Sequence, residues 1–170
     1  MLLVGVLVAA RPDLGEPRTV HRTELGQWGS TEDFELRVDR VRLAHQLTRD
    51  RDDDEPWQQA RPGEVFVVVE VSKHNRVKSR YGEAVLTLVP FREYEADTAV
   101  APNGSVDPGF VATGAYIFRI EEAARNSAKF QFSQGADLFT GPLQEVIEVD
   151  LHLDRIEPVI EVAKGEVTLR

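Results

Sequence analysis

Cysteine is absent from this 170-residue sequence, and its absence excludes several chemistries at once. A chain without thiols forms no disulfides, uses no thiol nucleophile, binds no zinc through cysteine and carries no lipid on a cysteine. The compartment stays open, because a reducing cytosol and a disulfide-free bacterial exterior both accommodate such a chain.

Positive charge is scarce as well, since 20 lysines and arginines stand against 29 aspartates and glutamates, and the formal net charge is −9. Proteins that bind nucleic acid neutralise phosphates with clustered lysine and arginine. We therefore expect no nucleic-acid partner and interpret the acidity as a source of solubility. A chain of this length, with 42% hydrophobic residues, is long enough for one globular domain with one full core.

A long apolar run is also lacking. The apolar stretch that begins at Met1 and ends at Ala10 is half of the roughly 20 residues that span a bilayer. Its small final residues resemble the end of a secretion signal, although no positive segment precedes it. Three interpretations follow: the outer half of a longer anchor, a signal remnant, or a buried strand broken at Gly5. We favour the anchor or signal, with membrane contact through these residues.

Hydrophobic residues alternate with polar ones over most of the remaining chain. Residues 11–29 are polar and rich in proline and glycine, which predicts a linker or extended arm, and residues 30–170 then form the folded domain. The alternation that starts at Phe34 slips by one residue after Val38, which predicts a β-bulge or a strand break. The run from Val65 to Val69 is apolar without alternation and predicts a strand buried on both faces.

Later segments repeat the two-residue period. The residues predicted to face inward are Tyr116, Phe118, Ile120, Phe130, Phe132, Ile147, Val149, Leu151 and Leu153. Those predicted to face outward beside the last four are Glu148, Asp150 and His152. "EEAARNSA" favours a short helix, and "VIEVAKGEVTL" favours two strands around Lys164 and Gly165. The sequence predicts an all-β fold: an immunoglobulin-like antiparallel β-sandwich with one short helix and a C-terminal hairpin.

Five features together resemble a known family: the strand of the Phe34 to Val38 type, "PGEVFVVVEVSKHN" at 62–75, Tyr94, the Pro108-Gly109 turn and "GAYIFRI" at 114–120. Over residues 28–153 the chain resembles the bacterial immunoglobulin-like, telokin-like domains of unknown function on secreted and membrane-anchored proteins. It is also similar to the small secreted immunogenic sandwich proteins of mycobacteria. The resemblance implies an exported or anchored location and no enzymatic activity.

A basic cluster stands out in this acidic chain, and it surrounds His74. Lys73, Arg76, Lys78 and Arg80 are the candidate residues for contact with an anionic surface or an acidic partner. The alternative is a solvated hairpin end whose charges discourage pairing at the sheet edge.

Other candidate sites are weaker. Asp50, Asp52 and Asp54 have the spacing that begins a calcium loop, but Glu55 stands where glycine is needed and Arg61 where the bidentate glutamate is needed. None of the histidines, His21, His45, His74 and His152, has metal-binding spacing to another. We therefore expect no metal site and no cofactor.

No serine lies in a Gly-x-Ser-x-Gly motif, and no other catalytic residue stands out, so we expect no enzyme. Four aromatic residues are candidates for a ligand groove, with core packing as the alternative: Trp28, Trp57, Tyr81 and Tyr94. We expect a non-enzymatic, extracytoplasmic interaction module, membrane-anchored or secreted, and an accessory subunit of a membrane or cell-envelope assembly with a protein partner there. The alternative function is a small-ligand or carbohydrate-binding module.

Overall fold

The computed structural model describes residues 18–49, 57–77, 82–88, 92–96, 107–125, 127–134, 144–163 and 165–169. These residues form strands β1 to β12 and one 3₁₀ turn. The strands are β1 (Arg18–Thr23), β2 (Trp28–Ser30), β3 (Phe34–Arg49), β4 (Gln58–Gln59), β5 (Glu64–Asn75), β6 (Gly82–Leu88), β7 (Arg92–Glu95), β8 (Phe110–Glu121), β9 (Ser127–Gln134), β10 (Gln144–His152), β11 (Ile156–Val162) and β12 (Glu166–Leu169).

The strands form two sheets. The five-stranded sheet has the order β1-β10-β9-β6-β7. The seven-stranded sheet has the order β11-β3-β5-β8-β12, with β2 and β4 paired to β3. Most pairs are antiparallel, and the parallel pairs are β1 with β10 and β11 with β3. The prediction of an all-β, mainly antiparallel β-sandwich is confirmed.

The inner faces of the two sheets meet in one apolar layer. Tyr116 of the seven-stranded sheet packs against Phe130 and Phe132 of the five-stranded sheet, with each pair of ring centroids 5.8 Å apart. Phe34 meets Phe132 edge to face at 5.3 Å. Each fully buried aromatic or aliphatic side chain of this kind contributes roughly 1.5–3 kcal/mol to stability. The inward-facing residues predicted from the two-residue period are all buried.

The predicted slip in β3 is a register irregularity between Val38 and Arg40. Its effect is that Val38 and Val41, three positions apart, both face the core. The prediction for Val65 to Val69 is also confirmed, because these residues are at most 1% exposed. Their second face is covered by a smaller cluster on the outer side of the seven-stranded sheet: Ala44, Leu47, Phe66, Val68, Ala115, Ile117, Ile160 and Val162.

The predicted C-terminal hairpin is wrong. β11 pairs with β3 and β12 pairs with β8, so the two strands occupy opposite edges of the seven-stranded sheet. In a flat sheet these edges lie about 19 Å apart, at about 4.8 Å per strand, yet the chain from Val162 to Glu166 reaches at most about 14 Å. The sheet therefore curls, and its edges approach each other around the smaller cluster. Burial of Ile160 and Val162 there outweighs the local turn signal of Gly165.

Residues 18–29 were expected to be a linker or extended arm. Within them, β1 pairs with β10 and β2 pairs with β3. Backbone pairing at these sheet edges, together with the side-chain hydrogen bonds of His21 and Arg22, orders a segment that has few apolar residues. The predicted short helix is a single 3₁₀ turn at Glu122–Ala124, and β9 begins at Ser127.

The membrane interpretation of the first ten residues, Met1 to Ala10, concerns a segment outside the described residues. Within the described ranges, no helix has the length and apolar character to cross a bilayer.

Candidate functional site

The predicted basic contact surface does not include Lys73. This residue lies in β5, which continues to Asn75, and the alternation of the strand turns Lys73 toward the core. Its side chain is 2% exposed, and Nζ lies 5.3 Å from the centroid of the Phe132 ring. Burial lowers the pKa of Lys73 to about 8. The prediction of a surface role for Lys73 is therefore wrong.

The neighbouring basic side chains Arg76 and His74 both lie beside Glu35 on β3. Arg76 Nη2 lies 2.7 Å from Glu35 Oε1, and His74 Nδ1 lies 3.2 Å from Glu35 Oε2. Arg76 also donates to the backbone oxygen of Thr31 at 2.9 Å. Lys78 and Arg80 lie outside the described residues, so partner contact through them and Arg76 stays a prediction.

Glu148 faces outward, as the two-residue period predicts, but its side chain is buried. It is 5% exposed, on the outer face of the five-stranded sheet, where longer side chains from β9 and β1 cover it. Its carboxylate accepts hydrogen bonds from Lys129 at 2.7 Å, Gln131 at 2.8 Å and Arg22 at 3.2 Å. Burial acts to raise the pKa of Glu148, but the bonds from Lys129 and Gln131 outweigh it and the pKa lies below its ordinary value.

Exposed apolar side chains concentrate on the edge strands of the two sheets. Six large hydrophobic residues are exposed in the described part of the chain: Val20, Leu25, Val77, Val159, Val167 and Leu169. Four of the six belong to β1, β11 and β12, which are edge strands. All of β12 is exposed, with Val167 at 61% and Leu169 at 77%. The strand pairs with β8 on one side, and its other side is paired with no strand of the described ranges.

The aromatic residues proposed for a ligand groove have separate surroundings. Trp28 lies under the Arg37 guanidinium at 5.0 Å and Trp57 under that of Arg49 at 3.7 Å. Tyr81 lies outside the described residues. These cation–π contacts give Trp28 and Trp57 a structural role at the sheet surface.

Tyr94 on β7 lines an open depression of about 370 Å³ between β7 and β8. The other lining residues are Gln58, Phe66, Glu95, Ala96, Ile117 and Arg119. The Tyr94 hydroxyl is buried and has no hydrogen-bond partner in the described part of the chain. A lining that mixes apolar and aromatic side chains with a few polar ones is typical of a small-ligand site.

Three of the four histidines, His21, His45 and His74, lie beside carboxylates. His21 Nε2 lies 3.2 Å from Glu145, and His45 Nε2 lies 3.1 Å from Glu122. Across the described ranges, no three histidine, aspartate or glutamate residues are grouped so that they would hold a metal ion. The acidic loop with Asp50, Asp52 and Asp54 is outside those ranges.

Comparison with known proteins shows the fold alone. No protein-family model matches the sequence, and no curated protein is similar to it. The structure is similar to the crystal structure of an uncharacterised β-sandwich protein from Clostridium difficile 630. The TM-score is 0.51 at 10% sequence identity, and the match covers 78% of this chain and 96% of that one. The chain thus shares a β-sandwich architecture with a bacterial protein of unknown function.

Proposed function

We propose that this protein is a non-enzymatic interaction module that binds a protein partner through the edges of its sheets. The observation that carries the proposal is the β12 edge, where Val167 and Leu169 are the two most exposed large hydrophobic residues of the described chain. An edge strand offers unpaired backbone groups to an added strand, and exposed alternate side chains give that pairing specificity.

The proposal includes an extracytoplasmic location, membrane-anchored or secreted, and a role as an accessory subunit of a membrane or cell-envelope assembly. The resemblance to telokin-like domains of secreted and anchored bacterial proteins, and to the secreted mycobacterial sandwich proteins, supports it. The apolar stretch from Met1 to Ala10 supplies the membrane contact in this proposal.

A single introduced thiol tests partner and location together, because the natural sequence contains no cysteine. We expect Thr168→Cys on β12 to react with a membrane-impermeant maleimide on intact cells. With a maleimide that carries benzophenone, we expect it to cross-link one defined partner on illumination. Mass spectrometry of the adduct identifies that partner, and failure of the maleimide to label intact cells would contradict the location.

Two control variants test whether cross-linking of the partner is specific to the β12 edge. Leu25→Cys places the thiol on an exposed apolar position between β1 and β2, away from the β12 edge, and it should give no adduct. Adding Val167→Asp and Leu169→Asp to Thr168→Cys should remove the adduct and leave the melting temperature within about 2 °C, because exposed positions usually change stability by about 0.5 kcal/mol or less. Equal capture by the Leu25→Cys and Thr168→Cys variants would refute docking at β12.

A small-ligand or carbohydrate-binding module is the second candidate, and the Tyr94 depression favours it. The depression combines the apolar side chains of Phe66 and Ile117 with the polar side chain of Glu95, which together suit the apolar face and the hydroxyl groups of a sugar. We expect saturation-transfer NMR with glucose, galactose or N-acetylglucosamine to give a signal that Glu95→Ala lowers several-fold. Glu95 is exposed, so this variant should leave the fold intact. If none of the three sugars gives a signal, this candidate is wrong.

A further inference from the structure

A second open depression, of about 550 Å³, lies at the edge of the seven-stranded sheet beside the parallel pair β3 and β11. Its lining residues come from β3, from β11 and from the residue that precedes β11: Arg40, Val41, Arg42, Arg155, Glu157 and Pro158. Val41 packs against the core, so the alternation of β3 turns Arg40 and Arg42 to the outer face. The register irregularity before Arg40 sets this phase.

Three guanidinium groups in the depression interact with one carboxylate, that of Glu157. Arg42 binds Glu157 with two parallel hydrogen bonds, Nε to Oε1 at 3.0 Å and Nη2 to Oε2 at 2.7 Å. The pKa of Glu157 lies below its ordinary value, first because of these bonds and then through the charges of Arg42, Arg155 and Arg40. Arg42 also lies 3.6 Å from Glu70.

Arg40 and Arg155 are exposed, and neither forms an ion pair with any described residue. The lining carries three guanidinium groups and one carboxylate, and Glu70 beside Arg42 adds a second carboxylate. The local surplus is one positive charge, in a chain whose net charge is −9. Like charges held together are unfavourable, and a bound anion relieves the repulsion. The rest of this acidic surface repels anions, whereas the depression is locally positive.

We propose that this depression binds a terminal phosphate monoester. Such a group carries about −1.5 to −2 charges at pH 7 and three acceptor oxygens, so it can accept hydrogen bonds from Arg40 and Arg155 together, the two exposed guanidinium groups of the lining. A carboxylate offers less charge and fewer acceptor oxygens, so it would bind these two arginines more weakly. The volume lies within the roughly 300–1,000 Å³ of ligand sites, and Val41 and Pro158 supply apolar contact for the group attached to the phosphate. The site is separate from the β12 edge and does not depend on partner binding there.

Calorimetric titration of the full chain with glycerol 3-phosphate tests the proposal, with glycerol as the uncharged control. We expect binding to glycerol 3-phosphate alone, weakening at least tenfold in the double variant Arg40→Gln, Arg155→Gln. Affinity should also fall several-fold from pH 7 to pH 5, because the phosphate gains a proton near pH 6. A matched pair, Arg18→Gln and Arg61→Gln, removes the same charge from exposed arginines elsewhere and should change affinity less than twofold.

Vesicle binding distinguishes a lipid headgroup from a soluble phosphate monoester as the ligand of this site. Cosedimentation with phosphatidylcholine vesicles that contain phosphatidic acid, but not with phosphatidylcholine alone, would assign the site to a lipid headgroup if the Arg40, Arg155 pair abolishes it. Titration with glycerol 3-phosphate but no cosedimentation would assign it to a soluble ligand. Binding to neither, or equal losses in the two arginine pairs, would overturn the proposal.

Discussion

Replacing Lys73 with methionine should stabilise the protein by about 3 kcal/mol at pH 7. The lysine is 2% exposed, and burial lowers its pKa from 10.5 to about 8. Each pKa unit corresponds to about 1.4 kcal/mol that the folded state loses by holding the charge. Methionine keeps a similar length and flexibility without the charge. Urea unfolding at equilibrium measures the change.

The pH dependence of this gain distinguishes a charge effect from a packing effect. Below pH 8 the lysine is protonated in both states, so its full penalty is present in the natural protein. Between pH 8 and pH 10.5 the folded state loses the proton first, the unfolded state binds more protons, and stability rises with pH. The advantage of Lys73→Met should therefore shrink over this window and vanish near pH 10.5.

A second lysine provides the control. Lys129 is hydrogen-bonded to Glu148 at 2.7 Å, and this bond raises the pKa of Lys129. Lys129→Met should thus fail to stabilise the protein at pH 7. A Lys73→Met variant that is less stable than the natural protein at pH 7, or whose gain is constant up to pH 10.5, would contradict the structural account of Lys73.

Replacing Gly82 with alanine should destabilise the protein by about 1–3 kcal/mol, the usual cost of an added group in a packed core. A Cβ at this position would overlap the Phe132 ring, at 2.6 Å from Cε2 and closer still to Cζ. The ring has no room to retreat, because it is fully buried and packs against Phe34 and Tyr116. Chemical denaturation of the variant gives the loss in unfolding free energy.

A smaller side chain opposite Gly82 should absorb the added methyl group. We expect the double variant Gly82→Ala, Phe132→Leu to be more stable than the sum of the two single changes predicts, with a coupling of at least about 0.5 kcal/mol. Glu83→Ala, at the exposed next position of β6, should have little effect on stability. Additive changes in the double variant would show that Gly82 and Phe132 are not in contact.

The sequence predicted the sandwich and most of its core because side-chain alternation is a local property of a strand. Strand alternation alone turns such side chains toward the core, whichever strand lies beside them, provided that the other face meets solvent or polar neighbours. Examples are Phe130 with Phe132 and Ile147 with Val149. The shift in the hydrophobic pattern after Val38 could be predicted for the same reason, because a bulge changes the phase of the pattern within one strand.

Strand alternation gives the direction of a side chain, but it does not show whether side chains of neighbouring strands cover an outward polar group. Glu148 follows the outward phase correctly, yet Arg22, Lys129 and Gln131 enclose it, and β1 reaches it only through a parallel pairing with β10. Lys73 was predicted to lie on the surface because it belongs to the basic cluster. The phase of β5, extended four residues beyond Val69, would have placed it inward.

By itself, then, the sequence determined the all-β class, the two-sided burial of β5, the bulge in β3 and the identity of the main core, because each follows from the order of apolar and polar residues along one strand. Only the tertiary structure decided that β11 and β12 take opposite sheet edges, that Glu148 is enclosed by neighbouring strands, and that Arg40, Arg42 and Arg155 converge on one carboxylate. Those outcomes depend on which strands meet, and contacts between residues 42 and 157, for example, are fixed by the packing of distant segments and leave no local period in the chain.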